Sequence, residues 1–329
     1  MAKKSENFLQ KVVRLIDEVQ QDNRWLSFPY AVIKKYGDDE AGYQGALMTY
    51  YGFLSLFPLL IVATSVIDLI TKHNAALREK LFHAISNYFP AFGSDLQASV
   101  HGAHKTGLAL IIGLLITLYG AKGVADAVQH ALNHVWEVPK QERPAFPKGP
   151  LKSLALIIGG GIGFAATAVL SSYATAALGH SFYFRLLPIV LSFFMLFAVF
   201  TFVYRVGLSA KRSWNELLPG AAVAALGMQI LLTFGTYLVT HQLKHLSGAY
   251  GRFGLVLAIL FWIYLQAQVF LYAAEINSVH ALRLHPRSIT QDPLTEADRR
   301  AFKLYAKRET VKAPPEEVHV EFKDPEASR

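Results

Sequence analysis

The chain contains no cysteine, which excludes disulfides, thiolate metal sites and a cysteine nucleophile. Charge is scarce as well: 17% of the 329 residues are Asp, Glu, Lys or Arg, against about 25% in soluble domains. The N-terminal stretch MAKKSENFLQKVVRLIDEVQQDNRW lacks the apolar core of a signal peptide, so no cleavage is expected there. There is no GxxxxGK[ST] loop to cradle nucleotide phosphates, and neither HExxH nor GxSxG to build a hydrolytic centre. No carboxylate cluster suggests a two-metal phosphodiesterase. Lys and Arg outnumber acidic residues 32 to 24, a net charge of +8, but form no aromatic-interleaved basic stripe for nucleic acid. These absences point away from an enzyme, from a bound cofactor or metal, and from a nucleic-acid partner.

Apolar residues are abundant: 53% of the chain is hydrophobic, with a mean hydropathy of +0.29. The run from Ala41 to Ile67, AGYQGALMTYYGFLSLFPLLIVATSVI, holds 27 residues without a charge, more than the roughly 20 that span a bilayer core. Five further stretches follow: Thr106–Ala121, Ser153 to about Gly179, LLPIVLSFFMLFAVFTFVY between Arg185 and Arg205, Leu217–Leu243, and Phe253–Ala274, closed by Glu275. The second is short and is expected to continue as a helix through KGVADAVQHALNHVWEV, with Lys122 snorkelling to the interface. The expected fold is therefore all-α, a polytopic membrane protein with six transmembrane helices and amphipathic interfacial helices. Its organisation reads as an amphipathic N-terminal region (1–40), a membrane domain (41–279) and a C-terminal tail (280–329).

Outside the spans, Phe8, Val12, Val13, Ile16 and Val19 trace one helical face. That pattern fits a helix lying among lipid headgroups, or one that binds a protein. Leu77, Leu81, Phe82, Ile85, Tyr88 and Phe89 trace another face, accompanied by His73, His83, His101 and His104 as solvated or metal-binding histidines. Asp126, His130 and His134 recur every fourth residue, either as an interfacial polar stripe or as metal ligands on adjacent turns. Small residues at Gly159, Gly163, Thr167, Ser171, Thr175 and Gly179 form a ridge for close helix approach, and Gly220, Ala224 and Gly227 form a second. Pro219 and Gly220 read as a helix start. Thr295 and Asp298 stand in capping-box spacing ahead of a short helix, and the last twenty residues read as disordered.

Orientation follows from the basic residues. The N-terminal region, the second and fourth loops and the C-terminal region carry 7, 5, 3 and 10 Lys and Arg, 25 in all. The first, third and fifth loops carry 4, 1 and 2, or 7. The positive-inside rule then places both termini in the cytoplasm.

Inside the first span sit Gln44, Thr49, Tyr50, Tyr51 and Ser55, with Pro58 expected to interrupt the helix. Polar groups at membrane depth face a protein interior or a wet cavity, and broken helices often line transport sites. Tyr50, Tyr51 and Ser55 are therefore candidates for a cavity wall, Tyr51 and Ser55 sharing one face. Glu275 is placed at the cytoplasmic mouth, paired with Lys122 or Arg205, with Asn277 beyond it. The alternative is that these tyrosines bond neighbouring helices and Glu275 simply meets water.

ALMTYYGFLSLFPLL, ALNHVWEV, LLPGAAVAA, AYGRFG and AAEIN occur in this order between about Asp38 and Asn277. Together they make the chain resemble the YihY/BrkB family of bacterial inner-membrane proteins, once mislabelled ribonuclease BN. Ala273 stands where that family more often has Gly. The resemblance implies a six-helix membrane fold with cytoplasmic termini, a link to envelope lipids, and roles for Asn133, Trp136 and Tyr250. The function expected is a transporter or flippase-like handler of an envelope lipid, with membrane lipids as partners. The alternative is a non-transporting scaffold of an envelope complex.

Overall fold

The computed structural model describes residues 8–71, 74, 75, 79, 107–176, 182–250, 253–290, 293–310 and 318–322. Among these there is no strand. Two short helices, α1 (Phe8–Asp22) and α2 (Arg24–Asp38), precede six long ones. The long helices are α3 (Ala41–Ile70), α4 (Gly107–Val135), α5 (Lys148–Ala176), α6 (Phe182–Gly207), α7 (Trp214–Tyr250) and α8 (Phe253–Leu282), and α9 (Glu296–Arg308) follows. The helical faces expected between the first two spans, the four histidines among them, and residues 311–317 and 323–329 of the tail lie outside the described residues.

The long helices form three antiparallel hairpins, and small residues set their register. A Cβ on Gly123 would collide with the Tyr51 ring, and one on Gly120 would lie 2.5 Å from the Ser55 Cβ, locking α4 against α3. Two members of the expected ridge on α5 behave likewise, Gly159 meeting Phe202 and Gly163 meeting Val199 of α6, while Gly179 and the side chains of Ser171 and Thr175 lie outside the described residues. On α7, Gly220 meets the Ala273 carbonyl and Gly227 meets Val269 of α8. Such close approach supplies dispersion contact where lipid offers no hydrophobic drive between helices. The packing at Ala273 is close, because Gly220 provides the room from the other helix.

Among the described residues, four helices are long and apolar enough to cross a membrane by length and composition, in windows Lys148–Thr167, Ile189–Gly207, Trp214–Gly235 and Val256–Leu282. The first two expected spans, α3 and α4, are unbroken helices of 30 and 29 residues, about 45 Å at 1.5 Å per residue. Large apolar side chains point away from the bundle: Leu115, Leu118, Ile158, Ile162, Leu191 and Phe194 are all exposed. A surface of this kind signals contact with something apolar.

Three expectations about helix limits need correction. The α3 helix runs through Pro58 without a break. The α7 helix starts at Trp214, so Pro219 lies inside it and not at its start. The α8 helix continues past Glu275 to Leu282, where Arg283 adopts a left-handed φ of 54°. The Leu284 N–H then bonds back to the Val279 carbonyl at 3.0 Å, the usual way of satisfying a helix end.

Helices α1 and α2, residues 136–147, the α6–α7 turn, and residues 283–290 and 293–310 gather at one end of the bundle. Lys35 on α2 reaches the Val135 carbonyl, Asn133 accepts from the Ser209 N–H, and Lys140 pairs with Glu309. By sequence, the segments to which these residues belong hold most of the Lys and Arg. A small core of Ala31, Val32, Val279, Leu284 and Ala301 joins α2, α8 and α9. Asp17 on α1 accepts hydrogen bonds from the Ser288 hydroxyl at 2.9 Å and the Ile289 N–H at 3.0 Å. Nevertheless Leu15, Ile16 and Val19 on α1 remain exposed. The expected capping box forms at α9, Thr295 accepting from the Asp298 N–H at 3.0 Å.

Candidate functional site: an apolar cavity and a buried ion cluster

A cavity of about 400 Å³ lies among the six long helices. Its wall is almost wholly apolar, built from side chains such as Met48, Val128, Phe164, Phe200, Met228 and Phe270. Ser55 from α3 and Gln266 from α8 are its polar members. Gly160 and Gly161 form a bare stretch of α5 in this wall, and a Cβ on either would meet nothing within 4 Å. Gly160 is buried and Gly161 is exposed, so the wall reaches the outer face of the bundle at α5. Gly160 lies twelve residues into α5, roughly 18 Å from the end that holds α1, α2 and α9.

Of the expected wall residues, Ser55 is buried in place, its hydroxyl donating to the Gly52 carbonyl at 3.0 Å. Tyr51 shares its face but lies against Gly123. Tyr50 is 58% exposed on the outside of the bundle. The side chains of Pro58 and Tyr250 lie outside the described residues.

The second feature sits where α2, α4, α8 and α9 meet. Burial of Lys35 is complete. Its ammonium donates to the Asp39 carboxylate, to Glu137 Oε1 at 2.9 Å and to the Val135 carbonyl at 2.9 Å. Arg308 Nη1 lies 2.9 Å from Asp39 Oδ1 and 3.0 Å from Glu137 Oε2. Glu275, also 0% exposed, is 3.4 Å from Lys35 Nζ. The expected pairing of Glu275 with Lys122 or Arg205 is therefore wrong. Lys122 pairs with Asp126 one turn away, and Arg205 donates to the Arg212 carbonyl beside Trp214. Because α8 runs on past Glu275, that side chain turns into the bundle and meets α2.

Local backbone geometry aims the cluster. Lys35 and Asp39 stand four apart and so share a face at the end of α2. Glu137 ends α4 in a left-handed conformation, φ 54°, while the Val138 N–H bonds to the Asn133 carbonyl at 2.9 Å. Burial pushes the Glu137 carboxyl up, to about 7, with Lys35 opposing and Asp39 reinforcing the rise. Burial acts on Asp39 in the same sense, but Lys35 and Arg308 outweigh it and hold that carboxyl below its ordinary range. Lys35 keeps its proton despite burial because Glu275, Asp39 and Glu137 surround it.

Asn277 and Asn133 serve the backbone. Asn277 accepts from the Gly220 N–H at 2.6 Å and donates to the Leu217 carbonyl at 2.9 Å. It thereby satisfies groups around Pro219, whose missing N–H disturbs the α7 ladder. Asn133 ties α4 to the α6–α7 turn. Trp136 is 2% exposed and lies under the Arg212 guanidinium, 5.0 Å from its ring. Along the expected His130–His134 stripe, Asp126 bonds Ser153 at 2.5 Å instead of joining the histidines. Among the described residues no three potential metal ligands converge.

The model of the family described as Virulence factor BrkB matches residues 32–297, most of the chain, so the chain belongs to that family. It is 26% identical to the putative ribonuclease-like protein YfkH of Bacillus subtilis, over 81% of this chain and 98% of YfkH. It is 25% identical to the inner membrane protein YhjD of Escherichia coli, over 72% of this chain and 76% of YhjD. Against a UPF0761 membrane protein of Chromohalobacter salexigens the identity is 24%, over 78% of this chain and 64% of the relative. No solved structure matches. The chain is thus an integral membrane protein of this family. Lys35, Asp39, Glu137 and Glu275 lie within the matched residues, whereas Arg308 lies beyond them.

Proposed function

We propose that this BrkB-family chain spans the bacterial inner membrane six times with both termini cytoplasmic, and takes an envelope lipid into its helix bundle in a transport or flippase-like role without catalysing a reaction. The observation that carries this reading is the apolar cavity of about 400 Å³. Its volume falls within the range of about 300–1,000 Å³ typical of small-molecule pockets. The bare α5 backbone at Gly160 and Gly161 supplies an edge through which an acyl chain enters from the bilayer. Ser55 and Gln266 are its polar handholds. The orientation is supported by the segments rich in Lys and Arg, which meet at one end.

Native mass spectrometry of detergent-extracted protein tests the reading. Wild type is expected to carry lipid. Gly160→Phe is expected to lose it, since the new side chain starts from open space and grows into the cavity. A lipid-free wild type, or equal lipid on both proteins, would overturn the proposal. A scaffold role draws on the exposed apolar face of α1 and would show as a stoichiometric protein partner lost when Ile16 and Val19 are made polar.

A further inference from the structure

The ion cluster is unbalanced. Asp39, Glu137 and Glu275 bring three carboxylates against the two cations Lys35 and Arg308, and all five side chains are at most 10% exposed. A buried, uncompensated charge is strongly unfavourable and is normally removed by neutralisation. An ammonium has three hydrogens, and Asp39, Glu137 and the Val135 carbonyl take all three from Lys35. None remains for Glu275, and neither of its oxygens has a hydrogen-bond partner among the described residues. Its neighbours on α8 are committed elsewhere: Ser278 donates to the Val135 carbonyl and Asn277 to α7. The Asp39 and Glu275 carboxylates both face the same Lys35 ammonium. Two ionised carboxylates cannot bond to each other, but a proton between them makes one a donor.

We propose that the cluster is a binding site for one proton, held on Glu275 and shared with Asp39, at the junction between α8 and the ends of α2, α4 and α9. The proton comes from the aqueous side and converts one carboxylate to a carboxylic acid, bringing the five groups to neutrality; no other bond changes. A metal ion is the poorer occupant, because the Lys35 ammonium already fills the position facing Glu275. The surrounding titratable and charged groups come from four elements. These are Lys35 and Asp39 on α2, His134 and Glu137 at the end of α4, Tyr305 and Arg308 on α9 with Glu309 next to it, and Arg143 beside Arg308. The site goes beyond the lipid reading and does not depend on what fills the cavity.

Infrared spectroscopy of the full chain in lipid nanodiscs, at mildly alkaline pH above the range where Glu137 titrates, reads the proton directly. Wild type is expected to show a protonated-carboxyl C=O stretch that shifts in D2O. Glu275→Gln is expected to lose one carboxylic acid per chain, and Glu275→Asp to retain it at a shifted frequency. Absence of the band from wild type overturns the proposal without any variant, and so does an unchanged band in Glu275→Gln. Native mass spectrometry of the same samples separates the two readings: a lipid-free protein that keeps the band overturns only the cavity reading.

Discussion

Along the long helices contact is made where side chains are missing, and at the end that holds α1, α2 and α9 it is made through side chains that are charged. At Gly120, Gly123 and Gly220 the partner helix occupies the space where a Cβ would be. At Lys35, Asp39, Glu137, Glu275 and Arg308, α4 and α8 are joined to α2 and α9 by buried ion pairs. The first kind of contact draws on dispersion alone and tolerates a neighbouring void, so a 400 Å³ cavity can persist beside it. The second tolerates none, because each ion removed from water must find a partner. The cavity region can therefore change its occupant cheaply, while the charged end responds to a single altered charge.

Lys35→Met should produce the largest effect, since it leaves the buried carboxylates with only Arg308. Removing one partner of a buried pair costs about 3–5 kcal/mol, and the loss should appear as a collapse in thermal stability of the detergent-solubilised protein. Asn277→Leu comes next. It strands the Gly220 N–H and the Leu217 carbonyl and should cost about 1–3 kcal/mol for each unsatisfied group. An equally thermostable Asn277→Leu protein would show that Pro219 needs no such support. Gly220→Ala places a methyl against the Ala273 carbonyl and should cost about 1–3 kcal/mol. Gly160→Ala, facing open space, should cost almost nothing, and the difference between these two glycines tests the contrast within the bundle itself.

Proton linkage sharpens the comparison further. Glu137 has its folded pKa raised from 4.5 to about 7, so the folded state binds its proton more tightly than the unfolded state. Stability from this group is fully present below about 4.5 and is lost as pH rises through about 7. Asp39 works in the opposite sense, its contribution being lost only on strong acidification. Melting temperature should therefore fall between about pH 5 and pH 7.5 in wild type, and Glu137→Gln should flatten that slope. A small effect is expected at α9. Thr295→Ala removes the capping box at a cost of about 1 kcal/mol, visible as faster amide exchange in α9 with little change in the bundle.

Much of the scaffold was legible locally. A long uncharged run cannot be exposed to water, and the ridge at Gly159 and Gly163 announced a close neighbour because small residues repeated on one face. Thr295 and Asp298 satisfy each other over three residues, so their capping box needs no distant partner. The shared face of Tyr51 and Ser55 likewise follows from helical spacing. Pro58 misled because a proline within a long apolar helix does not by itself dictate a break. Glu275 misled because a carboxylate after an apolar run resembles a helix end facing water, whereas α8 continues for seven more residues. Its neighbour Asn277 gave no local sign that it would repair the backbone around Pro219, on another helix.

The order of apolar and charged residues by itself determined the helical class, the membrane setting and the basic bias of alternate segments, because water and lipid act on each stretch separately. Only the packed structure decided that Lys35 would be shared among three carboxylates, and that Arg308 would reach Asp39 from 269 positions away. The physical reason is that a charge on a single helix can always be read as solvated. Whether it is buried, and what then neutralises it, depends on which other helices close over it.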